Sequence, residues 1–343
     1  MSTANLDSAD LKAATYKGLI REDVMNRIFD ISKIPLPFTD LIGTDTHTNE
    51  YAEWTLDTLA TPDITNAAID GADTTGNNTV IGTRVGNHSQ ISTKVVRVSF
   101  RADASDVIGR TKETGYQIMR RQQELRRDVE AICLTNQASV ADNGSNVAGK
   151  IGGLPSWLGS HNYGGTAGGY DGSTGLTVAR IATATRALTE TLVRDAVQAV
   201  YIDGGDPSVL MTIPGVVRKF SEYLFTSSAR VATLVADQGK STESATALGS
   251  VNVFVTDFGT LKMVPNRLQK THVDSGSTQV ADVFILDPSY LSLSYMKGYR
   301  TEDLARTGLA ENKLMSVDYT LKVLTEKSHA IIGDISTTAA VTL

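Results

Sequence analysis

The sequence predicts an α+β protein with long extensions, and three observations carry that reading. A long amphipathic helix is written over residues 113–135. A strand of strict alternation runs through 314–324, LMSVDYTLKVL, and several shorter strands surround it. Between them and the N-terminus lies a long excursion, residues 50–98, with little in it that could form a core. The 343 residues suffice for two domains, or for one large domain with arms. An apolar fraction of 41% with 20% charged residues is that of an ordinary folded chain.

The start reads as a helix over residues 8–33, where Leu11, Leu19, Val24, Ile28 and Ile31 recur at loose helical spacing. Pro35 and Pro37 then impose an extended stretch, PLPFTDLIG. MSTANLDSADLKAAT has no apolar run behind a basic start, so no signal peptide is expected. No stretch approaches the roughly 18 apolar residues of a membrane span. Synthesis in the cytoplasm and solubility there until assembly are the expectation, with no membrane partner.

Residues 50–59, EYAEWTLDTL, suit a strand with Trp54 and Leu56 on one face and Glu53 and Asp57 on the other. Residues 89–98, SQISTKVVRV, suit a second strand. The tract between them, including DGADTTGNNT, is rich in Thr, Asn, Asp and Gly. The pattern predicts a long two-stranded projection over 50–98. An isolated hairpin is marginal in water, so something outside it should hold it.

In the long helix, Ile118, Leu125, Val129 and Ile132 mark the apolar face, while Arg120, Arg121, Arg127 and Asp128 lie off it. Residues 141–175 are Gly-rich, with Trp157 and Leu158 as one anchor, and mark a boundary between two lobes. LTVARIATATRAL and TETLVRDAVQAVYI read as two helices. A strand SVLMTI follows, then a helix opened by Pro214. VNVFVTD and TLKMVP read as two short strands, with VFILD and LSLSYM as further strands. No internal repeat of 20 to 50 residues is present.

Few residues invite chemistry. Asp257-Phe258-Gly259 spells the magnesium triplet of protein kinases, but no HRD loop exists, and Asp and Gly between two apolar runs are hairpin-turn residues. Gln238-Gly239-Lys240-Ser241 resembles the end of a phosphate loop and lacks the Gly five places before its Lys. The five histidines, His47, His88, His161, His272 and His329, show no metal-ligand spacing. Cys133 is the one cysteine, which excludes an intrachain disulfide and a thiolate cluster. No catalytic residue, cofactor site or metal site is nominated, and the expectation is a protein that is not an enzyme. A net charge of −6 argues against a dedicated nucleic-acid binder.

An arm, a projection and a rigid helix bury little surface within one subunit, so other subunits should supply the missing surface. From Glu50 to Asp73 the projection carries Glu50, Glu53, Asp57, Asp63, Asp70 and Asp73 with no Lys or Arg. The long helix and its approach carry Arg110, Lys112, Arg120, Arg121, Arg126 and Arg127 against Glu113, Glu124, Asp128 and Glu130. A neighbour's acidic projection lying across the basic helix would set register more than affinity. The candidate intersubunit contacts are Glu53, Trp54, Asp57, Asp63, Asp70, Arg120, Arg121 and Arg127.

The chain resembles the major capsid proteins of tailed bacteriophages with the HK97 fold, and is most similar to the group typified by the major head protein of phage SU10. The resemblance spans nearly the whole chain through REDVMNRIFDISKIPLPFTDLIG, ELRRDVEAICL, GGLPSWL, DGGDPSVLMTIPGVVRKFS, VFVTDFGTLKMVPNR, ILDPSYLSLSYM and VDYTLKVLTEKSHAIIGDI, in that order. It implies an N-arm (1–49), an extended loop (50–98) lying over a neighbour, a peripheral domain (99–175 and 271–343) built on the spine helix, and an axial domain (176–270). It implies hexamers and pentamers of one chain in an icosahedral shell around double-stranded DNA, without sequence-specific DNA contacts. Further partners it implies are a separate scaffolding protein and a portal protein, with room for a decoration protein. The subunit would be made in the host cytoplasm and reside in the virion. An encapsulin-like cellular shell of the same fold is the alternative. An enzyme with an unrecognised site is the remaining one.

Overall fold

The computed structural model describes residues 35–71, 73, 81–226, 253–306 and 308–337. The helix expected over 8–33 and the phosphate-loop lookalike at 238–241 lie outside the described residues. The strands in chain order are β1 (Gly43–Thr46), β2 (Tyr51–Leu56), β3 (Thr83–His88), β4 (Gln90–Ser99), β5 (Asn162–Tyr163), β6 (Gly169–Asp171), β7 (Leu176–Val178), β8 (Val209–Thr212), β9 (Val253–Thr256), β10 (Gly259–Pro265), β11 (His272–Val273), β12 (Gln279–Leu286), β13 (Leu291–Asp303), β14 (Ala310–Val323) and β15 (Ala330–Ser336). Three longer helices are α1 (Glu113–Cys133), α2 (Glu190–Ile202) and α3 (Pro214–Thr226).

Two sheets organise the chain. A four-stranded sheet has the order β1-β13-β14-β4, and a seven-stranded sheet runs β5-β15-β12-β8-β10-β9 with β11 paired to β12. The strongest strand is present, and β14 joins β13 and β4 along most of its length. The alternation of a buried with a wet face is not found: Ser316, Asp318 and Thr320, expected on the wet face, are buried as well because this central strand is covered on both sides. Its odd residues Met315, Val317, Tyr319, Leu321 and Val323 are all buried. They pack with Leu125, Val129 and Cys133 of α1 and with Val96 and Val98 of β4.

The seven-stranded sheet is buried on both faces, which explains the continuous apolar runs of β8 and β12. Phe284 and Leu286 of β12, with Val209 and Met211 of β8, face the core shared with α1. Val283, Ile285 and Leu210 face the opposite way, onto Val193, Ala196, Val197 and Val200 of α2 and Val216 and Phe220 of α3. The strands after residue 278 are therefore divided between the sheets, with β13 and β14 beside α1 and with β12 and β15 beside β8.

Helix α1 spans 21 residues, about 31 Å at 1.5 Å per residue. Leu125 and Val129 are fully buried, while Ile118 and Ile132 pack at the margin. The Asp103 carboxylate accepts the Thr114 N–H at 3.0 Å, in place of a side-chain cap at Lys112. No helix among the described residues is long and apolar enough to cross a membrane.

Two expectations are corrected. The segment LTVARIATATRAL is not a helix: Leu176–Val178 is a strand and 181–189 is irregular. Its N–H groups are taken by distant acceptors. Thr183 donates to Asp334 Oδ2 (3.1 Å), Thr185 to Asp274 Oδ2 (2.9 Å) and Arg186 to the Asp334 carbonyl (2.9 Å). Tertiary hydrogen bonds there override local propensity in a Thr-rich run. The projection is also shorter than 50–98. β2 pairs with β3 in register Tyr51↔His88 through Leu56↔Thr83, whereas the strand at 90–99 pairs with β14 inside the four-stranded sheet.

Candidate assembly surface

The projection is fixed at its root. Tyr51 donates its hydroxyl to the Gly175 carbonyl at 2.8 Å and lies 3.1 Å from the Tyr170 hydroxyl. Trp54 packs 5.4 Å from Trp157, which stacks at 5.7 Å and 4° on Tyr170. Such aromatic pairs contribute about 0.5–1.5 kcal/mol each beyond their buried area. Buried Asn87 accepts the Gly152 N–H at 2.8 Å and donates to the Leu321 carbonyl at 2.8 Å, so β3 is bolted to the Gly-rich segment and to β14. A side chain at Gly86 would strike the Tyr51 ring, since a Cβ there would lie 2.6 Å from it.

Beyond Leu56 this support ends. Every residue from Asp57 to Gly71 is exposed. Leu59, Ile64 and Ile69 are 101%, 98% and 81% exposed, and Ile81 on the return is 90% exposed.

The nominated contact residues fall in different settings. Glu53 pairs with Arg84 of the opposite strand within the subunit. Trp54 belongs to the root cluster rather than to the outer surface. Asp57 and Asp63 fold back on the chain, accepting the N–H of Thr58 (2.9 Å) and of Thr65 (2.8 Å). The Thr65 hydroxyl and N–H hold the Asp63 carboxyl below the usual carboxylate range. Asp70 is exposed. On α1, Arg121 pairs with Glu124 at 2.5 Å, and Arg120 sits 5.8 Å from the Tyr116 ring. Arg127 is half-buried on the same helix. Among the described residues, no ion pair joins the nominated acidic residues of the projection to the nominated arginines of α1.

Two polar nodes that sequence reasoning missed hold the rest of the subunit. Glu130 of α1 is fully buried. Its carboxylate accepts the N–H groups of Phe38 (2.8 Å) and Thr39 (2.7 Å) and the Asn266 amide (2.7 Å). It thereby caps in trans the helical turn that starts at Pro37, and ties that turn to α1 and to the end of β10. Burial pushes the Glu130 carboxyl up, and the Thr39 and Phe38 N–H groups pull it back. An acidic residue one step from Val129, on the apolar face, was the available signal.

The second node is Arg180, whose side chain is 1% exposed. Its Nη2 meets Asp282 at 2.6 Å and Asp334 at 3.2 Å, and its Nη1 donates to the Gly164 carbonyl at 3.1 Å. His272 Nε2 lies 3.1 Å from Asp334. Asp334 adopts a left-handed conformation (φ 60°) that turns its carboxylate into the node. Burial pushes the Asp334 carboxyl up, but His272, the Thr183 N–H and Arg180 together outweigh it and hold it at about 2. His272, Asp282 and Asp334 place ligand-type atoms within 4.8 Å of one another. The guanidinium supplies there the positive charge that a metal ion would bring.

The kinase-like triplet is a turn. Asp257 and Phe258 form the two-residue loop between β9 and β10, with Gly259 paired to Thr256. Phe258 packs on Tyr201 at 5.0 Å, and Asp257 is exposed.

Comparison with known proteins agrees with this architecture. A family model described as SU10 major capsid protein matches residues 4–336. The major capsid protein of Escherichia phage Phieco32 is 35% identical over 116 residues, a match that covers 33% of this chain and only 32% of that protein. Among solved structures, the capsid of cyanophage A-1(L) superposes with a TM-score of 0.60 at 14% identity, covering 92% of this chain and 97% of that one. The capsid of cyanophage P-SCSP1u gives 0.57 at 14% identity over 99% and 100%. The SrpI encapsulin of Synechococcus elongatus gives 0.53 at 12% identity over 99% of each chain. The HK97-like capsid fold expected from sequence is borne out, and with a match across nearly its whole length the chain belongs to the SU10 major capsid protein family.

Proposed function

We propose that the chain is the major head-shell subunit of a tailed phage, self-assembling into hexamers and pentamers of an icosahedral shell around double-stranded DNA. The observation that carries it is the contrast within the projection, which is locked at the root and wholly exposed from Asp57 to Gly71. A segment that buries nothing in its own subunit is built to be buried by another. Family membership supports the same reading. Residues 1–49 act as the N-arm, 50–88 as the extended loop once the strand at 90–99 is assigned to the four-stranded sheet, the remainder up to 175 with 271–343 as the peripheral domain, and 176–270 as the axial domain. Asp57, Asp63 and Asp70 face Arg120 and Arg127 of a neighbour, with Glu53, Trp54 and Arg121 tuning the same contact from within the subunit. A separate scaffolding protein and a portal protein complete assembly, and a decoration protein has room to bind outside. The net charge of −6 suits a wall that contains DNA without gripping it. The subunit works as a structural component of the virion after synthesis in the host cytoplasm.

Expression of the full chain followed by electron microscopy tests this. Closed shells are expected. A small soluble monomer that gains stability on binding a metabolite would overturn the reading. The encapsulin-like alternative draws on the encapsulin neighbour. Particles purified from the native source separate the two, since a phage head contains DNA.

A further inference from the structure

An exposed loop, residues 141–148, is closed by Val140 and Lys150, whose N–H groups each donate to the other's carbonyl at 3.0 Å. It carries Asn143-Gly144, the one Asn-Gly step in the sequence. Gly144 has a φ of 65°, and no side chain crowds its nitrogen. The Asn143 side chain is held at both ends. Its Oδ1 accepts the N–H groups of Ser145 (3.0 Å), Asn146 (3.0 Å) and Val147 (2.9 Å). Its Nδ2 donates to the Asn146 side-chain carbonyl at 2.7 Å. The Gly144 N–H donates to Asp142 Oδ1 at 2.7 Å. The Asp142 N–H in turn donates to the Glu50 carboxylate at 3.3 Å, at the foot of the projection.

We propose that Asn143 is a self-modifying site, which loses its amide through a cyclic imide. The Gly144 nitrogen attacks Asn143 Cγ while the Asp142 carboxylate takes its proton, so a new C–N bond closes the ring and Oδ1 becomes an oxyanion. The N–H groups of Ser145, Asn146 and Val147 already point at that oxygen and stabilise its charge, as an oxyanion hole does. The oxyanion collapses, the Cγ–Nδ2 bond breaks, and the amine leaves as ammonia with the proton held by Asp142. Water then adds to one of the two imide carbonyls and opens the ring, leaving Asp or isoaspartate at position 143. Water is the only co-reactant, and nothing is oxidised or reduced. In the Asp product the new carboxylate keeps the same three donors, now as charge-assisted bonds. The added negative charge appears one residue from the contact between Asp142 and Glu50.

Peptide mapping of the full chain by mass spectrometry follows the reaction, because OH replaces NH2 and isoaspartate peptides separate on a column. The folded chain is compared with the same chain held unfolded in guanidinium chloride, at one neutral pH and one temperature. The folded chain should convert Asn143 at least as fast as the unfolded chain. Asp142→Asn should slow the folded chain by about 10-fold or more, as loss of a general base does, and leave the unfolded rate nearly unchanged. The Asp142 side chain is exposed, so the variant should fold as the parent does. A folded rate below the unfolded one overturns the proposal, because the hydrogen bonds then protect the amide. No slowing by Asp142→Asn, or an equal slowing of both states, overturns it too, because the carboxylate then does not act through the folded loop.

Discussion

Around Arg180 the buried charges are matched inside the subunit, with two carboxylates, a carbonyl and a histidine gathered about one guanidinium. Around Ile64 the opposite holds, since every residue from Asp57 to Gly71 is exposed. One region is finished within a single chain and the other is left open by it. The difference separates residues that the fold of the subunit needs from residues that it does not. Substitutions in the first region should lower subunit stability, and substitutions in the second should lower assembly while the subunit stays folded.

The largest effect should come from Arg180→Ala. It leaves Asp282 and Asp334 buried without their cation, and removing one partner of a buried pair costs about 3–5 kcal/mol. Urea unfolding of unassembled subunits measures it; a loss under 1 kcal/mol would break the comparison. Glu130→Ala should cost about 3 kcal/mol on the same assay, because the N–H groups of Phe38 and Thr39 lose their acceptor. Limited proteolysis of that variant should open first near Pro35–Thr39.

Acid adds a third probe. Burial lowers the His329 pKa to about 4, below its ordinary 6.5, and its Nδ1 accepts the Asp287 N–H at 3.2 Å. The unfolded chain takes up that proton as pH falls through 6.5, and the native state resists until about 4. This contribution is therefore fully present above pH 6.5 and is lost on the way down to 4, about 3 kcal/mol in all. Asp282 and Glu130, both raised by burial, titrate in the stabilising direction as pH falls, and that contribution is common to wild type and a His329→Asn variant. The difference between the two chains should shrink steadily between pH 7 and 4.5. A constant difference would show that His329 is not buried neutral.

The smallest effect on the subunit should come from charge reversal on the projection. Asp57→Lys with Asp63→Lys and Asp70→Lys should move subunit stability by under about 0.5 kcal/mol, as exposed substitutions do. Shell yield at low salt should fall several-fold, with partial recovery in high salt as screening weakens the new repulsion. Normal yield at low salt would remove the acidic-projection contact with the basic helix. Glu53 is the weaker choice for this test, because its charge is paired with Arg84 at home.

What was legible in the sequence was whatever local periodicity encodes. The strand β14, the apolar stripe of α1 and the turn at Asp257-Phe258 each follow from neighbours in sequence. The Arg180 node joins residues separated by up to 154 positions, and the Glu130 node by up to 136, so no spacing announces them. The same reason defeats the helix expected at 176–188, where acceptors from Asp274 and Asp334 claim the backbone. Trp54 was legible as a face residue of a strand, but the identity of its partner, Trp157, was not.

The legs of the projection have separate footings. β2 follows β1, which edges the four-stranded sheet on one side, and β3 continues through Ser89 into β4, which edges it on the other. The Ser89 N–H donates to the Glu50 carbonyl at 2.8 Å where the legs leave the sheet, and the Tyr51 and His88 rings pack at 4.7 Å just beyond it. A shape anchored at both margins works as a yoke. Any change in the twist of the sheet would therefore move the two footings by different amounts and change the direction of the reach beyond them.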